Sequence, residues 1–175
     1  AICGVWGGYS RDTTIVSNEF SMNGAVAVGS ERGGINMEHA QRAFIHANSF
    51  TKEPVGVRIW FDEDPGLFKT PWAKANGTDA SDNTVSGNSF RACTIAGEFI
   101  GARSTVLAGN SLDGETGAFV QQSCSGTVEQ AQAAARKGPT DAELDELLAK
   151  LPGTRKAIGA RDTLAGRDKI VMLEY

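Results

Sequence analysis

The chain has 175 residues and a mass of 18.4 kDa, the size of one compact domain with room for a sizeable core, so the expectation is a single domain over 1–175. With 41% hydrophobic and 22% charged residues it has the composition of a folded protein, which sets disorder aside. A net charge of -4, from 17 basic and 21 acidic groups, argues against a nucleic-acid partner held by phosphate contacts, and no apolar stretch has the roughly 18 residues of a membrane span.

Residues 1–124 read as β-rich. Ile2 to Trp6, Thr13 to Val16 and Gly24 to Val28 are short apolar or β-branched runs punctuated by Gly, Ser and Asn. Asn36 to Ala47 departs from that pattern: Asn36 has N-cap chemistry, and Met37, Ala40, Phe44 and Ala47 recur at helical spacing, which predicts a helix near 36–48. A strand follows, with Val55, Val57, Ile59 and Phe61 alternating with Gly56, Arg58 and Trp60. Residues 62–90 are rich in Asp, Asn, Gly, Pro and Ser and predict a long surface excursion.

A second β region covers about 90–124, as Phe90 to Ile100, Ser104 to Leu107 and Gly117 to Gln122, with a hairpin signal at Asp113-Gly114. The last fifty residues, 125–175, change to helical patterning. Thr127 with Gln130 and Thr140 with Glu143 fit capping boxes for helices over about 127–137 and 140–150, the second carrying Leu144, Leu147, Leu148 and Leu151 as an apolar stripe. Lys169 to Tyr175 reads as a short terminal strand. Together these features predict an α+β fold, mainly antiparallel, with its helices segregated at the C-terminus.

Three cysteines are present. Cys93 lies in the strand-like run Arg91 to Ile95 and Cys124 closes the run Ala118 to Cys124, and a bridge between them would span about 30 residues, stabilise by roughly 2–4 kcal/mol and favour an oxidising compartment. Cys3 is the remaining thiol. The run Cys3-Gly4-Val5-Trp6-Gly7 resembles the opening of class II glutamine amidotransferases, whose nucleophile is an N-terminal cysteine with its own amine as base. Here two residues precede Cys3 and tie that amine into a peptide bond.

His39 and His46 are the only histidines and the candidate bases for a Cys/His site. On a helix, seven positions would separate them by about 10.5 Å, too far to ligate one zinc ion, so no shared metal is expected. Gly29 to Gly34 matches neither the P-loop nor the dinucleotide fingerprint, and no cofactor is expected. Asp62, Asp64, Asp79 and Asp82 supply oxygen ligands suited to calcium but lack EF-hand spacing. Trp60 and Trp72 flank this acidic stretch as candidates for a ligand-binding surface.

No complete catalytic set emerges. The leading functional expectation is a non-enzymatic subunit that assembles with copies of itself, as in a surface filament or a virion, outside the cell. The alternatives are a small hydrolase or transferase with a Cys/His site, and a secreted module that binds a glycan or small ligand.

Overall fold

The computed structural model describes residues 1–24 and 31–130. Their strands are all parallel. Three sheets of five, five and four strands form, and no antiparallel pair occurs among the described residues. The first sheet holds β1 (Cys3–Gly8), β4 (Gly33–Glu38), β7 (Val55–Trp60), β10 (Ile95–Ile100) and β13 (Gly117–Gln122), in that spatial order. The second holds β2 (Thr14–Val16), β5 (Phe44–His46), β8 (Thr84–Ser86), β11 (Val106–Ala108) and β14 (Val128–Gln130). In the third lie β3 (Glu19–Ser21), β6 (Ser49–Thr51), β9 (Ser89–Arg91) and β12 (Ser111–Leu112).

Each strand pairs with its counterpart one coil later, so the chain winds through the three sheets in turn as a parallel β-helix. Corresponding residues of successive coils stand 30, 40 and 22 positions apart, as in Asn18, Asn48, Asn88 and Asn110. The underlying coil is 22 residues. One longer interval carries an insertion between β3 and β4, and the other carries an excursion between β7 and β8.

This architecture overturns the mainly antiparallel α+β expectation. Residues 36–48, expected as a helix, instead supply the end of β4, a corner and β5, because backbone N–H groups there bond to the coils on either side rather than to their own segment. Asp113-Gly114 joins β12 to β13 in different sheets and forms no hairpin. Val128–Gln130 is a strand where a helix start was expected. Most of the expected helices and the strand at 169–175 lie outside the described residues. The excursion is shorter than 62–90, since β8 and β9 already belong to the coil; it contains a 3-10 turn at Leu67–Lys69 and α1 (Pro71–Asn76), the one α-helix described.

The corners explain why so many non-glycine residues take positive φ. His39 (φ 52) stands above Tyr9 (φ 55), Arg42 (φ 54) above Asp12 (φ 57), Ala47 (φ 53) above Ser17 (φ 59) and Lys52 (φ 55) above Met22 (φ 55). Each such residue costs about 1–2 kcal/mol locally. Each also gives its N–H to the neighbouring coil, as Tyr9 does to the Glu38 carbonyl at 2.9 Å and His39 to the Trp60 carbonyl at 2.9 Å, so the strain recurs only where the ladder offsets it.

Inside the coils, like stacks on like. Phe20, Phe50 and Phe90 form a column with ring centroids 4.9 and 4.8 Å apart and nearly parallel planes. Glycine lines the facing wall because the rings leave no space: a Cβ at Gly34 would lie 2.7 Å from Phe50 Cδ1, and one at Gly56 would lie 2.5 Å from Phe90 Cε1. Ile15, Ile45, Val85 and Leu107 make a second column. An asparagine column closes the corner after the second sheet. Asn88 Oδ1 accepts from the Asn48 backbone N–H (2.9 Å) and from Asn48 Nδ2 (3.1 Å), while Asn88 Nδ2 donates to the Ile45 carbonyl at 3.0 Å.

All three cysteines are free thiols, and the expected Cys93–Cys124 bridge is not formed. The two sulfurs occupy different corners: Cys93 Sγ faces the Phe50 carbonyl at 3.7 Å, and Cys124 Sγ faces the Phe99 carbonyl at 3.3 Å. The argument from a bridge to an oxidising compartment falls with it.

Replacing Asn88 with Ala leaves the buried Asn48 N–H without its acceptor and is expected to cost about 2–4 kcal/mol in urea denaturation. A loss under about 0.5 kcal/mol, the range of surface substitutions, would show that the asparagine column is dispensable.

Asp113 gives a second test. The Thr116 hydroxyl at 2.6 Å, followed by the Ala92, Glu115 and Thr116 backbone N–H groups, holds its carboxyl below the ordinary aspartate range. Its contribution to stability is therefore present above the ordinary value of 3.8 and is lost as pH falls through the folded value. Asp113→Asn should be less stable than the parent at neutral pH, with the difference shrinking towards acid; a difference independent of pH would contradict it.

Candidate functional site

Strand alternation in the first sheet sends Asn36 and Glu38 of β4, Arg58 and Trp60 of β7 and Glu98 of β10 to one outer face, in registered rows. Arg58 Nε donates to Glu98 Oε2 at 2.7 Å, and Arg32 Nη2 reaches the same oxygen at 3.2 Å. Arg58 also stacks its guanidinium over the Trp60 ring, 4.8 Å from the centroid. Burial, the largest single effect, works to raise the Glu98 carboxyl, and the hydrogen bonds and charges of Arg58 and Arg32 together outweigh it and hold the group below the ordinary glutamate range.

Among the described residues, three side chains at this face keep buried polar atoms without a hydrogen-bond partner, Arg32 through its Nε. Both atoms of the fully buried Asn36 amide are unpaired, and so is the Trp60 indole N–H. Trp6, paired in register with Asn36, remains 48% exposed beside them.

At the edge of the face the chain turns. Glu38 ends β4 and His39 takes the left-handed corner, its ring between Tyr9 of the coil before (5.1 Å) and Phe61 of the coil after (5.0 Å, edge-on). The excursion leaves at this corner and brings two aspartates back onto it. Asp62 Oδ1 lies 3.1 Å from His39 Nε2, and Asp64 Oδ2 accepts from the Tyr9 hydroxyl at 2.8 Å. Asp64 is positioned by the Leu67 and Gly66 N–H groups, and the Leu67 bond first, then that from the Tyr9 hydroxyl, holds its carboxyl below the ordinary range. On the other side of the ring, His39 Nδ1 lies 2.5 Å from the Thr78 carbonyl oxygen.

Burial first, then the charge of Asp62, pushes Glu38 above the ordinary glutamate range. Burial also raises the Tyr9 hydroxyl, with its bond to Asp64 second. Ligand atoms of Glu38, His39 and Asp62 all lie within 4.8 Å of one another.

The expected sites are redistributed. His39 joins Asp62 and Asp64, whereas His46 ends β5 in the second sheet and places Nδ1 3.0 Å from the Ser86 carbonyl and hydroxyl oxygens. Cys3 begins β1, half-buried, with burial raising its thiol. No Cys/His contact forms among the described residues. The four-aspartate calcium set does not assemble: Asp79 pairs with Arg103, and Asp82 (φ 58) occupies a corner. Trp60 lies on the outer face and Trp72 on α1 within the excursion.

Tyr9, Asn36, Glu38, Arg58 and Glu98 carried no sequence signal, because only the coil-to-coil register makes them neighbours. The described residues contain no helix long and apolar enough to cross a membrane. Comparison with protein-family models, with curated proteins and with solved structures finds no match.

Glu98→Gln preserves shape but removes the charge that Arg58 and Arg32 share. It is expected to cost about 1.5–3 kcal/mol in equilibrium denaturation, the worth of hydrogen bonds to a charged group. An unchanged midpoint would mean that the pair contributes nothing net.

Proposed function

We propose that this chain binds a linear hydroxyl-rich ligand of the glycan class along the outer face of its first sheet. The observation that carries the reading is the Asn36 amide, fully buried yet with neither its donor nor its acceptor paired among the described residues. Leaving such groups unmet costs about 1–3 kcal/mol each, and native structures retain them where a ligand or ordered water supplies the partner. A sugar hydroxyl both donates and accepts, which suits an amide flanked by an indole N–H. The face also offers carboxylates at Glu38 and Glu98, a guanidinium at Arg58, and the Trp60 and Trp6 rings for apolar sugar faces. Rows about 4.8 Å apart would place equivalent positions of successive coils under successive units of a linear chain.

Calorimetric titration with a panel of linear oligosaccharides tests this reading. Binding is expected for the parent, with at least a tenfold loss in Asn36→Ala and in Trp60→Ala, both checked for retained β-structure by circular dichroism. Absence of binding across the panel, or equal affinity in both variants, would reject it.

Self-assembly is a second reading: among the described residues β1, β2 and β3 each stand last in their sheet, and strand addition by another copy of the chain would take place there. Light scattering should then give multiples of 18.4 kDa that increase with concentration. A mass fixed at one chain would remove this reading.

A further inference from the structure

The corner beside this face holds a second kind of chemistry. The Thr78 carbonyl can only accept, so the 2.5 Å contact places the proton of a neutral His39 ring on Nδ1 and leaves the lone pair on Nε2. That lone pair faces Asp62 Oδ1, another acceptor, at 3.1 Å. Two acceptors so placed require a proton or a cation between or beside them. Adjacent ligands of a six-coordinate ion held at about 2.1 Å stand about 3 Å apart, which is the separation seen. A metal-ligating histidine characteristically donates its other N–H to a carbonyl or carboxylate, the role Thr78 fills.

We propose that His39 Nε2, Asp62 and Glu38 form a binding site for a divalent first-row transition ion. One imidazole and two carboxylates suit zinc or manganese better than calcium, which takes oxygen ligands. The geometry is built in. His39 is fully buried and clamped between the Tyr9 and Phe61 rings, while Asp62 is half exposed and gives an entering ion access to the site. A second observation points to a ligand on the same side: the fully buried Asn36 amide, two residues from Glu38 on the same outward face, and the Trp60 N–H, in the row of Glu38 itself, have no hydrogen-bond partner among the described residues. Asp64, tied to Tyr9 and to two backbone N–H groups, orients the rim and leaves Asp62 to coordinate. The inference does not depend on glycan binding, which is measured on metal-free protein.

The experiment strips the full chain with a chelator, then titrates zinc, and separately manganese, by calorimetry with elemental analysis of the dialysed product. Asp62→Asn and Glu38→Gln are the variants of choice because both side chains reach solvent and leave the buried His39 in place. One ion per chain is expected, with affinity at least tenfold weaker in each variant, and nitrogen-15 spectra should show the His39 Nε2 resonance move on zinc addition while Nδ1 stays protonated. Failure to take up either ion, uptake unchanged in both variants, or a His39 ring carrying protons on both nitrogens in the presence of zinc would overturn the assignment. The last result would mean that a proton, shared with Asp62, holds the corner together.

Discussion

The structure depends on one constraint: every coil must present its backbone N–H and C=O groups to the next in unbroken parallel register. Parallel strands have no tight turns to pin that register. Here it is pinned at the corners, where Tyr9, Asp12, Ser17 and Met22 and their counterparts adopt positive φ and hand their N–H groups to the neighbouring coil. The asparagine column adds a side-chain bond in the same direction, each amide satisfying a backbone group of the coil before it. A slip of one residue would break these bonds, misalign the phenylalanine column and turn every inward side chain outward.

That constraint also decides where variation is tolerated. Strand positions are committed to the ladder, so extra residues can leave only at corners. The excursion after β7 departs at the His39 level, and its first residues fold back so that Asp62 meets His39 and Asp64 meets Tyr9. The coil supplies the rigid half of the site and the insertion supplies the rest, an arrangement in which functional groups sit on loops carried by a fixed scaffold.

The outer face of the first sheet and the adjoining corner differ in character. Across the face, Arg58 and Arg32 share the single carboxylate of Glu98 and Arg58 stacks on Trp60, while the Asn36 amide and the indole N–H have no hydrogen-bond partner among the described residues. At the corner, two carboxyl groups and an imidazole lie together, and burial first, then the charge of Asp62, pushes Glu38 above the ordinary glutamate range. A neutral polyhydroxyl ligand suits the first and a compact cation suits the second, because the one offers dispersed donors and acceptors and the other concentrated negative charge.

By itself the sequence determined that the chain is rich in short strands separated by turn residues; Cys3–Gly8, Thr14–Val16, Val55–Trp60 and Gly117–Gln122 follow from local β-branching and glycine placement. It also contains the repeat, in Ile15-Val16-Ser17-Asn18-Glu19-Phe20, Ile45-His46-Ala47-Asn48-Ser49-Phe50, Val85-Ser86-Gly87-Asn88-Ser89-Phe90 and Leu107-Ala108-Gly109-Asn110-Ser111-Leu112. Unequal spacings of 30, 40 and 22 residues conceal its period. Met37, Ala40 and Phe44 mimic a helical stripe, yet left-handed corners at His39 and Arg42 turn the chain between them, so that Met37 and Ala40 enter the core while Phe44, beside the inward Ile45, stacks on His46 on the opposite face of β5. Only tertiary structure decided that the strands run parallel, since a strand's apolar pattern is indifferent to its partner's direction. The same holds for the site: Tyr9, Glu38, His39 and Asp62 are scattered over more than fifty positions, and the coil-to-coil register alone brings them to one corner.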